Sequence, residues 1–80
     1  MDPKTFSAEI ARVTGTCPTK VTHPYPGVLS AIVGECEIRR YGANYPGHPW
    51  AVLKTVGSME GYPHGAPTLD RAWVLAAGSN

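Results

Sequence analysis

Prolines and glycines divide this chain of 80 residues into short segments and restrict it to a turn-rich fold. Each of its three histidines stands beside a proline, in a small cluster of aromatic, proline and glycine residues. The clusters span residues 23–27, 45–50 and 61–65. Because proline cannot continue a helix or donate a hydrogen bond within a central strand, we predict that these clusters form stiff surface turns.

Length and composition indicate a single small domain over residues 1–80. The hydrophobic fraction of 42% suffices for one thin core, because a domain of this size buries only about 60% of the surface that its unfolded chain exposes. Charged residues make up 16% of the chain, below the roughly 25% usual for soluble domains. Tyrosine, tryptophan and proline must therefore cover part of the surface, and the first two are enriched at protein interfaces.

The first segment has the signals of a helix over residues 3–14. Asp2 is a favourable N-cap, Pro3 suits the first helical position, and Gly15 ends the segment. The apolar residues at helical spacing are Phe6, Ile10 and Val13. A helix this short is not stable alone in water, so we expect its apolar side to pack on another element.

The next two segments predict extended structure. Residues 16–27 contain three prolines and form an extended loop or edge segment. Residues 28–41 predict a strand with a bulge or bend at Gly34. The alternative is a helix over the same residues, because Glu35 lies four residues before Arg39, a spacing that stabilises helices.

Alternating residues predict two further strands, over residues 50–57 and 70–77, with a loop at residues 57–67 between them. Together the segments predict the α+β class, with one N-terminal helix packed on a three- to four-stranded antiparallel sheet or partial barrel. Two or three of the aromatic clusters would then lie at one end of the sheet.

The aromatic turn residues are the candidates for protein binding. A tyrosine on a rigid turn is exposed, and burying it in an interface costs little conformational entropy. Trp50 has a second interpretation as a core residue, because it begins a predicted strand. The candidate contact residues are Tyr25, Tyr45, His48, Trp50, Tyr62 and His64.

An alternative function is nucleic-acid binding by a small barrel, in which aromatic side chains stack on bases beside basic residues. The formal net charge of +1 does not supply the strong positive field that attracts phosphate backbones, and a solvated face of mixed charge is the competing interpretation. The residues for the alternative are Arg39, Arg40, Tyr41, Lys54 and Arg71.

No catalytic or metal signature accompanies these residues. Two cysteines and two histidines would suffice in number for tetrahedral zinc, but they lack the paired spacing of structural sites. These residues are Cys17, His23, Cys36 and His48. A thiol nucleophile needs a histidine beside it, and the sequence does not bring the two together. We expect a non-enzymatic protein that uses neither a cofactor nor a metal.

The cellular compartment is expected to be the cytoplasm. The N-terminal residues lack the apolar segment of a signal peptide, and no apolar run has the length needed to span a bilayer. We therefore expect Cys17 and Cys36 to be separate thiols rather than a disulfide, and we expect no contact with membranes.

The segment that starts at residue 57 begins Gly-Ser-Met-Glu-Gly-Tyr-Pro-His-Gly and continues through Thr68 to Val74. On these residues it resembles the end of small uncharacterised phage and prophage proteins. In those proteins a strand precedes Gly-x-Val-x-Gly-His-Pro, a turn with Asp-Gly, then Thr-x-Ile and a closing strand. Tyr62 replaces the histidine, Ala72-Trp73 replaces Thr-Ser, and the shorter turn lacks the aspartate.

This resemblance implies a mobile-element origin and brings no catalytic residues with it. Short chains of such origin commonly bind and block a host protein. The expected partner is therefore a host protein, and the expected role is that of an inhibitor or adaptor.

Overall fold

The computed structural model describes residues 1–54 and 64–78. Within these residues the elements are α1 (Pro3–Thr14), β1 (Val21–Thr22), β2 (Val28–Val33), β3 (Cys36–Tyr41), β4 (Trp50–Leu53), β5 (His64–Ala66) and α2 (Leu69–Gly78). The strands form one antiparallel sheet in the order β1-β2-β3-β4-β5. The predicted α+β class, with an N-terminal helix on an antiparallel sheet, is confirmed. Over the described residues the sheet has five strands rather than three or four, and it is open.

Helix α1 has the predicted bounds and the predicted caps. The Asp2 carboxylate accepts a hydrogen bond from the Thr5 N–H at 2.6 Å, which lowers the pKa of Asp2. Gly15 ends the helix in the left-handed conformation at φ 76°, and its N–H donates to the Ala11 carbonyl at 2.9 Å. Phe6 and Ile10 are fully buried, so this helix packs through its apolar side.

Residues 28–41 form a hairpin, so both the single bent strand and the alternative helix are wrong. Strands β2 and β3 pair from Val28 with Tyr41 to Val33 with Cys36, leaving a two-residue turn at Gly34 and Glu35. Gly34 has φ 61°, as the favoured two-residue hairpin turns require. The glycine that suggested a bend therefore reverses the chain.

Residues 70–77 were predicted to form a strand, and they lie in helix α2 instead. The apparent alternation arose because every residue from Ala72 to Ala77 is apolar. The residues that the helix buries are Leu69, Ala72 and Ala76, at helical spacing. Thr68 caps the start of the helix. Its carbonyl accepts a hydrogen bond from the Ala72 N–H, and its hydroxyl oxygen accepts one from the Arg71 N–H. Alanine, which favours helices, and this N-terminal cap outweigh the alternation.

The remaining boundaries also differ from the predicted ones. Strand β1 lies in the predicted extended segment 16–27 and pairs with the edge of β2. Strand β4 ends at Leu53, and the rest of the predicted strand, residues 55–57, lies outside the described residues. Strand β5 lies within the predicted loop 57–67 and pairs with β4.

Both helices pack on one face of the sheet. Phe6 of α1 stacks on Trp50 of β4 with ring centroids 5.7 Å apart, and the Arg12 guanidinium binds the Asp70 carboxylate of α2 at 2.7 Å. The buried core residues are Phe6, Ile10, Leu29, Ala31, Val33, Ile38, Trp50, Val52, Ala66, Leu69, Ala72 and Ala76. The opposite face carries Ser30, Glu37 and Arg39, because side chains alternate along each strand.

Candidate functional site

Two of the three aromatic clusters meet at one end of the sheet. Strand β2 begins at this end and β3 finishes there, so the turns at residues 23–27 and 42–49 are adjacent. The Gly42 N–H donates to the Gly27 carbonyl at 2.9 Å. The Tyr45 hydroxyl donates to the Pro26 carbonyl at 2.5 Å. The two turns are therefore joined by hydrogen bonds from both backbone and side chain.

The joined turns present four side chains, which we call the turn surface: Tyr25, Tyr41, Tyr45 and His48. Tyr41 and Tyr45 meet edge to face, with ring centroids 5.5 Å apart. Tyr25 is 55% exposed, and the Arg39 guanidinium lies 5.9 Å from the centre of its ring. His48 is exposed as well. The surface thus combines aromatic area with polar groups.

Backbone geometry holds the turn surface in place. Gly27 adopts φ 78° and Gly47 adopts φ 94°, a region that side chains with a Cβ rarely enter. A Cβ at Gly27 would lie 3.5 Å from Cε2 of Tyr45, so the tyrosine ring packs directly over this glycine. The Tyr41 N–H donates to the Pro49 carbonyl at 2.7 Å and closes the second turn.

A shallow groove of about 360 Å³ runs through the turn surface. Its lining residues are Tyr41, Tyr45, Pro46, His48, Trp50, Ala51 and Gly65. Gly65 of β5 allows the close approach of His48, because a Cβ there would lie 3.5 Å from the histidine side chain. Ala51 and Gly65 contribute small side chains to this groove, and the turn contributes larger ones from Tyr45, Pro46 and His48. Such a concave apolar strip suits a protruding apolar side chain of another protein.

Three of the predicted contact residues are not part of this surface as described. Trp50 is 5% exposed and packs in the core, so its ring is not available for contact. Tyr62 lies outside the described residues, and so does the side chain of His64, whose backbone is in β5. Tyr41 was predicted only for the nucleic-acid alternative, and the structure places it between the two turns.

The basic residues of the nucleic-acid alternative do not form one patch. Arg39 and Arg40 are neighbours on β3 and therefore point to opposite faces of the sheet. Lys54 is exposed directly after β4, and Arg71 is exposed on α2. The nucleic-acid alternative grouped these two arginines, although the two-residue period of the strand predicted over residues 28–41 places adjacent side chains on opposite faces.

A buried polar network fixes Arg39 below Tyr25. The Ser30 hydroxyl donates to Glu37 Oε2 at 2.7 Å, and Arg39 Nε donates to the same oxygen at 2.5 Å. Burial of the guanidinium opposes its charge, but its hydrogen bonds to Glu37 and Tyr41 outweigh that effect, so the pKa of Arg39 lies above its ordinary value. Arg39 is therefore a permanent, positioned cation beside the turn surface.

Other chemistry receives no support from the described part of the chain. Among residues 1–54 and 64–78, no group of three histidine, cysteine or acidic residues is arranged to hold a metal ion. Cys17 is exposed and Cys36 is half-buried, and neither forms a disulfide. In the same residues, no helix has the length and apolar character needed to cross a membrane.

Comparison with protein-family models, curated proteins and solved structures finds no significant match for this chain. The geometry of the turn surface and of the residues around it is therefore the basis for a functional proposal.

Proposed function

We propose that this chain is a non-enzymatic protein-binding module that acts as an inhibitor or adaptor of a host protein and binds it through the turn surface. The observation that carries the proposal is the joining of two Tyr-Pro-Gly turns into one rigid aromatic surface. The host partner and the phage-type origin rest on the resemblance of residues 57–74. The closing strand that the resemblance implies is helix α2 in this structure.

Rigidity supports binding because it lowers the entropy that association costs. The turns contain prolines at positions 24, 26, 46 and 49, and hydrogen bonds already hold them together in the free chain. Preorganised surfaces bind more tightly because fewer side chains and loops must be ordered on association. Tyrosine adds a large contact area with only two rotatable side-chain bonds.

The chemical composition of the surface also resembles that of interface centres. Tyrosine is among the residues in which binding energy is concentrated, and the exposed Tyr25 is supported from below by the buried Arg39. The remaining groups are the histidine, Pro46 and the small residues that line the groove. The separation of the basic residues onto different faces gives less support to the nucleic-acid alternative.

The test is affinity capture from bacterial lysate, with and without nuclease, followed by measurement of the dissociation constant for the captured protein. The variant Tyr25→Ala/His48→Ala removes two exposed side chains that do not join the turns. We expect it to keep its circular dichroism spectrum and to bind about tenfold more weakly or worse. Tyr45 is unsuitable for this purpose, because its hydroxyl holds Pro26.

Val74→Ala is the matched control, because Val74 is 67% exposed on α2 and distant from the turns in the chain. We expect this variant to bind as the unchanged chain does. Equal binding by all three proteins would contradict the turn surface as the binding site. Recovery of many nucleoproteins that nuclease removes would instead favour the nucleic-acid alternative.

A further inference from the structure

Arg40 is a half-buried cation whose hydrogen-bonding groups are largely unused. Its Nη1 donates to the Tyr41 carbonyl at 3.1 Å, and its guanidinium lies over Trp50, 5.3 Å from the centre of the ring. Its Nε is buried and has no acceptor. No carboxylate of the described residues pairs with it.

Arg40 differs from the other arginines in combining burial with the lack of an ion pair, because Arg71, which likewise has no ion pair among the described residues, is exposed. Arg12 is paired with Glu9 and Asp70, and Arg39 is paired with Glu37. A buried donor without an acceptor and a buried charge without a counter-ion both cost free energy. A carboxylate bound to the guanidinium would supply the missing counter-ion.

Arg40 lines a cavity of about 490 Å³ on the side of the 42–49 turn. The other walls include Gly27, Tyr41, Gly42, Tyr45 and Pro49. Among the described residues that line the cavity, Arg40 carries the only charged side chain. Tyr41 and Tyr45 also line the groove of the turn surface. The cavity and the groove are therefore neighbouring parts of one region.

We propose that the Arg40 cavity binds a carboxylate of the partner protein while the turn surface contacts the apolar residues beside it. The cavity is a feature of the chain alone, whereas the assignment of the carboxylate to a protein partner rests on the proposed function. An acidic side chain and a chain end both supply this group. The predicted partner therefore presents a carboxylate next to an apolar or aromatic residue.

A carboxylate fits the cavity better than a phosphate does. One guanidinium balances one negative charge, and a planar carboxylate matches the planar fork of arginine. A phosphate group carries nearly two charges at neutral pH, and its sites usually combine several cations or free backbone N–H groups. Arg40 is the one charged side chain among the described lining residues, and the walls beside it are tyrosine rings, glycine turns and Met1.

The test is a titration of the full chain followed by ¹⁵N–¹H NMR at constant ionic strength, with no partner present. The probes are acetate for an acidic side chain, N-acetylglycine for a chain end, acetamide as a neutral control, and inorganic phosphate. We expect at least one carboxylate to shift the Arg40 Nε–H and the Gly42 and Gly47 N–H signals saturably, and acetamide to leave them unchanged. The carboxylate that binds more tightly identifies the preferred source.

Two variants locate the site. Arg40→Met keeps an apolar stem on Trp50 and removes the charge, and we expect it to weaken acetate binding about tenfold or more. Arg71→Met is the matched control, because it removes an exposed arginine from α2, and we expect it to bind acetate normally. Should Arg40→Met not fold, Arg40→Lys provides the comparison, since it keeps the charge without the planar fork.

The inference is overturned if neither carboxylate gives a saturable shift, if acetamide gives the same shift, or if phosphate binds more tightly than both. These results concern the free chain alone and leave the capture experiment unaffected. If the capture experiment finds no protein partner but a carboxylate still binds at Arg40, the proposed function fails while the Arg40 site stands.

Discussion

Substituting Gly27 by alanine tests whether the turn surface depends on its backbone. Gly27 has φ 78°, and its carbonyl accepts the N–H that joins the two turns. A Cβ at this position meets only Cε2 of Tyr45, at an ordinary contact distance of 3.5 Å. The cost is therefore conformational rather than steric. A left-handed backbone costs an L-residue about 1–2 kcal/mol.

Gly34→Ala is a closely matched control at the opposite end of the sheet. Gly34 has φ 61°, and a Cβ there meets no atom within 4 Å. We expect both variants to lose about 1–2 kcal/mol of unfolding free energy, measured by urea denaturation. With a urea dependence of roughly 1 kcal/mol per molar, both midpoints fall by roughly 1–2 M.

Binding of the captured partner should separate the two variants. Gly27→Ala loosens the turn that carries Tyr25, so we expect weaker binding by this variant. Gly34→Ala should keep the dissociation constant within a factor of about two. Unchanged stability of Gly27→Ala would refute the left-handed turn. Equal loss of binding in both variants would show that binding follows global stability and not the local geometry.

Two further predictions concern the helices. Phe6→Ala removes a fully buried ring stacked on Trp50 and should lower the free energy of unfolding by about 3–5 kcal/mol. The exposed control Lys4→Ala should change the denaturation midpoint little. A small loss for Phe6→Ala would mean that α1 does not pack on the sheet. The hydrogen bond from Arg12 holds the pKa of Asp70 below its ordinary value of 3.8, so its stabilising effect is present above that pH and is lost as the pH falls through the lowered pKa. Asp70→Asn should therefore be less stable than the unchanged chain at neutral pH and equally stable in acid, as measured by thermal unfolding at low salt. A difference in stability between the two proteins that does not change with pH would contradict this.

The local sequence determined the first helix and the stiffness of the turns. The cap at Asp2, the proline at position 3 and the closing Gly15 act over a few bonds, so they could be identified without knowing the fold. The prolines limit the backbone of the turns in the same local way. The predicted bounds and caps of the first helix therefore agree with the structure.

Residues 69–78 show why the apolar pattern alone was insufficient. Residues 72–77 are all apolar, so strand and helix spacing both fit them. Thr68 and the alanines are local signals for a helix, and they compete with the alternation that favours a strand. Packing of Leu69, Ala72 and Ala76 against the sheet selects the helix.

Only the tertiary structure decided which of the predicted residues share a site. The register of β2 and β3 brings Gly27 beside Gly42 and so joins two turns that are separated in sequence. The sequence showed that neighbouring strand residues point in opposite directions, but it did not show which face the helices cover. That choice buries Trp50 and leaves Tyr41 at the turn surface, because the covered face is set by long-range packing and not by adjacent residues.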